Sequence, residues 1–240
     1  MNKILDFITT FFDSKKMAAI GQTNANLQQY GARDLTDFDL TQQAHQPTAT
    51  EIRGLATGGI LFYWGDNPIK ILPALRPEVL VERKAATAEW WGITDTEEAL
   101  EILHWLRQEG HRKDFRQTLK TDAAHWQEVF AANPFLATRS VSSVAAWDYA
   151  RSVNVARWCY DYGYLSWAQA WEFIDAATQL AVRDYDSWES FATGFVAGRI
   201  MWSPESDSHN DIAEISSYLL ESKYSPWRDI PWLPYPCPAP

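Results

Sequence analysis

The sequence predicts a mainly α fold: a compact multi-helix domain preceded by an N-terminal amphipathic helix and followed by an extended C-terminal tail rich in proline and tryptophan. Three observations predict it. Apolar residues recur at helical spacing through most of the chain. Capping patterns and glycine or proline stops bracket those runs. Six of the twelve prolines fall between Pro226 and Pro240. With 240 residues the chain is long enough to bury a sizeable core.

The elements follow in order. Ile4, Leu5, Ile8, Phe11 and Phe12 lie at helical spacing, which predicts an amphipathic helix running to about Gly21. Its polar side lacks the basic excess of a membrane-surface anchor, so docking on the domain is the expected role and stable membrane anchoring is not. Residues 22–50 are rich in Gln, Thr, Asn and Asp, and read as a linker or long loop that completes an N-terminal region over residues 1–50. Residues 51–64 are ambiguous between helix and strand, and helix is preferred. Gly54, Gly58 and Gly59 there resemble no phosphate loop, because no Gly-Lys-Ser/Thr follows, and point to close backbone packing.

Beyond Pro77 the helical signals become regular. Thr94-Asp95-Thr96-Glu97 reads as a capping box opening a helix through Leu100, Leu103 and Leu106 to Gly110. A helix over 113–132 should end at Asn133-Pro134, and one over 140–162 at Gly163. Ser166 with Gln169 and Asp186 with Glu189 start two more, and residues 211–223 fit a last one. The helical domain is thus placed at 51–225 and the tail at 226–240. With Trp227, Trp232, Leu233 and Tyr235 between its prolines, the tail should be extended, either strapped across its own domain or held out for an aromatic groove on another protein.

Composition narrows the function. Lys and Arg total 21 against 31 Asp and Glu, a formal charge of −10, which repels phosphate backbones, argues against nucleic acid and suits a basic protein partner. Thirteen Trp, ten Tyr and eleven Phe predict a bulky core with polar tips that need hydrogen-bond partners. The N-terminal apolar run is interrupted by Asp6, Asp13 and Lys15-Lys16, so it fits neither a secretion signal nor a membrane span. Cys159 and Cys237 imply no disulfide framework, and the expected location is cytoplasmic.

One constellation stands out. Trp147, Arg151, Asn154 and Trp158 are three or four residues apart and share a helical face, on which Asp148 can pair with Arg151. If that face is buried, Asn154 and indole N–H groups are the natural partners of the pair. Arg199 is a second cation for Asp148, and Glu172 a second anion for Arg151. Trp147, Trp158, Trp171, Trp188 and Trp202 are the candidate pocket aromatics. The plainer reading is a polar clamp that fixes helix register. Gly194 and Gly198, four apart, would let another helix approach beside Arg199.

Other chemistries find little support. His45, His104, His111, His125 and His209 show no metal-ligand spacing, so neither a metal nor a cofactor is expected. His111, between Gly110 and Arg112, reads as a solvated helix junction. Cys159 sits mid-helix as a small buried thiol, and no Gly-x-Ser-x-Gly elbow occurs.

Trp91-Gly92-Ile93, Leu106 to Gly110-His111-Arg112, Trp147-Asp148-x-x-Arg151, Gly163-Tyr164, Ala170-Trp171, Ser187-Trp188 and Gly198-Arg199-x-x-Trp202 resemble the signature of the bacterial domain of unknown function family numbered 1266, over about residues 84–202. The resemblance implies a mainly helical bacterial domain and no particular mechanism. The expected function is a noncatalytic acidic protein that binds a protein partner, immunity- or antitoxin-like toward a basic effector. The alternative is an enzyme using Asp148 as acid or base, with Arg151 and Arg199 holding an anionic small molecule. A structural accessory subunit whose tail docks elsewhere is the third. A solvent-accessible concave pocket containing Asp148 and both arginines would favour the enzyme, and a flat acidic, aromatic face would favour the protein partner.

Overall fold

The computed structural model describes residues 36–232; the helix expected over residues 4–21 and the tail residues 233–240 lie outside them. In chain order the elements are strand β1 (Phe38–His45), helices α1 (Ala49–Ala56) and α2 (Gly59–Trp64), strand β2 (Leu72–Leu75), and helices α3 (Pro77–Trp91), α4 (Thr96–Gln108), α5 (Arg112–Thr121), α6 (Ala123–Ala132), α7 (Ala146–Asp161), α8 (Trp167–Asp184), α9 (Trp188–Trp202), α10 (His209–Glu221) and α11 (Pro226–Asp229). The fold is mainly α, as expected.

Helix ends follow local chemistry. At the start of α8, Ser166 Oγ accepts the Gln169 N–H and Gln169 Oε1 accepts the Ser166 N–H, the expected capping box. Two other starts lie one residue from expectation. Asp95, not Thr94, caps α4, because Asp95 holds the extended backbone a cap requires and accepts the Glu98 N–H at 3.0 Å. Ser187 and Ser190 likewise replace Asp186 and Glu189 at α9. The single helix expected over 113–132 is two, broken at Asp122, which leaves the helical region without a glycine or proline to mark it. The helix expected from residue 140 begins at Ala146, whose N–H is taken by the Tyr185 hydroxyl at 2.9 Å.

Two further expectations need correcting. Residues 38–45, assigned to a linker, form β1, which pairs antiparallel with β2 from Phe38↔Leu75 to His45↔Leu72. Register shifts and a polar outer face hide the strand's alternation. The tail does not begin extended: Pro226 occupies the first turn of α11, where its missing N–H costs nothing, and Ser225 accepts the Trp227 N–H.

Helix α7 is central, packed against α8, α4, α9 and α2. It is buried on every side from Ala146 to Arg157. A helix so enclosed is normally apolar all round, yet this one carries Asp148, Arg151, Asn154 and Arg157. Those groups must find their partners inside the protein. Among the described residues, no helix is long and apolar enough to cross a membrane.

Candidate functional site

The predicted face of α7 opens onto a cavity of about 380 Å³. Trp147, Arg151, Asn154 and Trp158 line it from α7, with Arg199 and Trp202 from α9. Leu61 and Trp64 of α2, Gly65, Trp90 and Trp91 of α3, Ile102 and Trp105 of α4, and His111 complete the wall. Seven indoles therefore surround two guanidiniums. The close approach of α9 to α7 depends on small residues, as expected: a Cβ on Gly198 would lie 2.6 Å from Trp147 Cβ and 2.7 Å from the Val144 carbonyl.

Asp148 lies behind the cavity wall, 1% exposed. Its Oδ1 accepts from Arg151 Nη2, and its Oδ2 accepts the Arg112 backbone N–H at 2.7 Å and, more loosely, Arg112 Nη1 at 3.4 Å. The second cation on Asp148 is thus Arg112, not Arg199. Gly110 makes this possible. Its φ of 55° turns the chain sharply at the end of α4, and any Cβ there would collide with the Asp148 carboxylate. Arg112 is itself tied down, donating to the carbonyls of Leu106 and Arg107. Both oxygens of Asp148 are engaged, so this carboxylate orients Arg151 rather than facing the cavity as an acid or base.

Each cavity arginine sits in a cage of three indoles. The Arg151 guanidinium carbon lies 4.9, 5.4 and 6.0 Å from the ring centroids of Trp147, Trp91 and Trp105. That of Arg199 lies 4.9, 5.7 and 5.9 Å from Trp202, Trp147 and Trp64, so Trp147 is shared. Arg199 is wholly buried and, among the described residues, meets no carboxylate: its Nη2 donates to Ser206 Oγ at 3.1 Å and Ser208 Oγ at 2.7 Å, while Nε and Nη1 have no hydrogen-bond partner there. Arg151 Nε, Trp147 Nε1 and Asn154 Oδ1 are also buried without partners among the described residues. Asn154 Oδ1 and Trp147 Nε1 therefore do not serve the Asp148–Arg151 pair, as the sequence suggested. Burial lowers both arginines, that of Arg199 to about 10, which leaves it charged at neutral pH.

His111, at the junction of α4 and α5, is half-buried rather than fully solvated. Burial and then the Arg151 charge hold its pKa below the ordinary histidine value, and its Nδ1 accepts from Arg151 Nη2 at 2.8 Å. The neutral ring then carries its proton on Nε2. Cys159, buried on α7, has its thiol pushed up to about 12 by burial and Asp161, so it is an inert packing group.

Three expected members stand elsewhere. Glu172 is on the exposed side of α8 and pairs with Arg107 at 3.1 Å rather than with Arg151. Trp171 packs against Gly54, where a Cβ would meet its ring at 2.8 Å. Trp188 stacks on Trp227 at 4.3 Å. The sequence reading missed Trp64, Trp90 and Trp105, and it quoted Trp91 and Arg112 without placing them here. Among the described residues no cluster of three His, Cys, Asp or Glu side chains could hold a metal.

A family model described as "Protein of unknown function (DUF1266)" matches residues 88–232. No curated protein and no solved structure matches the chain. Four of the seven motifs that carry the resemblance meet at or just behind this cavity, through Trp91, the turn from Gly110 to Arg112, Trp147, Asp148, Arg151, Arg199 and Trp202.

Proposed function

From the premise that the chain belongs to the DUF1266 family, we propose that the protein binds an anionic small molecule with a flat apolar body in its tryptophan-lined cavity. The observation that carries this reading is Arg199, fully buried and, among the described residues, without a carboxylate and with two of its nitrogens unpartnered. A buried guanidinium without a counter-charge is costly, and such groups persist where they have a task. Indole walls supply apolar contact area and shape, while convergent polar groups fix orientation, which is the usual division of labour in ligand sites. The cavity volume sits near the small end of the range for such sites.

The reading as an acidic, aromatic-faced partner of a basic protein has less support. Among the described residues Val81 is the large apolar side chain left exposed, and the tryptophans are taken up by cavity and core.

The test compares naphthalene-2-carboxylate with its neutral amide, by intrinsic tryptophan fluorescence and thermal melting. The carboxylate should perturb the emission saturably and raise the melting temperature with concentration. The amide should do neither, and Arg151→Met should abolish the carboxylate response. Equal responses to acid and amide, or none to either, would overturn the reading.

A further inference from the structure

We infer that the molecule this cavity takes is a dianion, one negative charge compensating each of Arg151 and Arg199. The inference rests on the ligand-binding reading above and specifies the ligand's charge. Three guanidiniums belong to the cluster, those of Arg112, Arg151 and Arg199; Arg112 and Arg151 share the Asp148 carboxylate, and Arg199 meets none among the described residues. Arg112 is saturated by that carboxylate and two backbone carbonyls. One negative charge against three positive leaves the cluster two positive charges in excess, and Arg151 and Arg199 are its members at the cavity wall.

The geometry locates the imbalance. Among the described residues Arg199 has two serine hydroxyls and no anion. Arg151 gives Nη2 to Asp148 and His111, and keeps Nε free in a buried position. Both guanidiniums lie against the Trp147 ring, at 4.9 and 5.7 Å, so one small molecule beside that indole reaches both. His111 adds no third charge, since its Nδ1 accepts from Arg151 and leaves Nε2–H as a neutral donor at the wall. A monoanion would compensate one guanidinium and leave the other buried and unpaired, which is the expensive outcome.

Two sources of this charge are possible: a phosphate monoester, with both charges on one group, or a dicarboxylate, with one at each end. The experiment has an arm for each. Phenyl phosphate, a dianion at pH 8 because its second ionisation lies near pH 6, is compared with methyl phenyl phosphate, a monoanion of nearly the same shape. Isophthalate is compared with benzoate. Titration calorimetry on the full chain at pH 8 should show at least one dianion binding about tenfold or more tighter than its monoanionic counterpart, and the preferred arm identifies the source.

In Arg199→Met, which keeps the side chain's volume and removes its charge, that advantage should shrink to within about threefold while monoanion binding persists. Melting curves check that the variant is folded; the wild-type comparison stands without it. Equal affinity of dianion and monoanion in both arms would overturn the dianion inference and leave the proposed function in place. Failure of every anion to bind would overturn both.

Discussion

Asp148 and Asp161 lie at opposite ends of α7 and are held in opposite ways. Asp148 receives the Arg112 backbone N–H and two guanidiniums. Asp161 has a side chain only 4% exposed, and its nearest cation, Arg157 Nε, stands 3.9 Å away, while Arg157 gives Nη1 to the Pro68 carbonyl. Burial therefore dominates and pushes Asp161 up to about 6, against the pull of Arg157 and Arg83, and the same burial lowers Arg157 to about 10. A carboxyl raised above its unfolded value binds more protons when folded, so its contribution is fully present below about pH 3.8 and is lost as pH rises through about 6. Between pH 7 and pH 4.5 wild type should gain about 2 kcal/mol that Asp161→Asn does not. His111 and His209 are lowered and act in the opposite sense, but they are common to both proteins and cancel in the comparison. Urea unfolding of both proteins at the two pH values measures the difference; if it is the same at pH 7 and pH 4.5, Asp161 is not titrating in the folded state.

Short α11 and the two residues after Ile230 show what the proline-rich segment does where it is described. Trp227 stacks on Trp188 at 4.3 Å and 11° and gives its indole N–H to the Ala56 carbonyl at 3.0 Å. Trp188 Nε1 donates to Ile230 O at 2.7 Å, and Trp232 Nε1 to Tyr185 O at 3.3 Å. The segment thus ties the start of α9 to the end of α1, as the strap reading expected. Trp227→Ala should cost about 3–5 kcal/mol in chemical unfolding, the range for emptying a buried aromatic site; a loss within about 0.5 kcal/mol, typical of surface changes, would mean the strap contributes nothing. What the sequence made legible here was local. The cap of α8, the turn at Gly110 and the shared face of Trp147, Arg151, Asn154 and Trp158 each follow from spacing along one helix. Trp64, Trp90 and Trp105 were not legible, because they reach the cavity from α2, α3 and α4 and no spacing rule relates separate helices. Glu172 was misplaced for the same reason: its spacing fits α8, but packing turns that side of the helix outward to Arg107. Strand β1 escaped because its outward residues are polar and its register slips.

The protein as a body and its cavity carry opposite charge. The chain has a formal charge of −10, while the cavity wall holds two guanidiniums and, with Arg112 behind them, three positive charges stand against the one carboxylate of Asp148. An approaching anion is therefore repelled at long range and attracted only once it enters. Added salt acts unequally on these two stages, because repulsion between solvent-exposed charges is screened over about 8–10 Å, whereas buried interactions are screened much less. The association rate of an anionic ligand, followed by stopped-flow tryptophan fluorescence, should then rise or stay level as ionic strength increases, with the dissociation rate changing little. A basic protein drawn to an acidic surface behaves in the opposite way, since its association is accelerated by the same net charge and slows steeply with salt. Naphthalene-2-carboxylate against the full chain, measured from low to physiological ionic strength, separates the two kinds of recognition. A steep fall in its association rate would mean that the anion is drawn in by long-range attraction, and would contradict an acidic body with a positive interior.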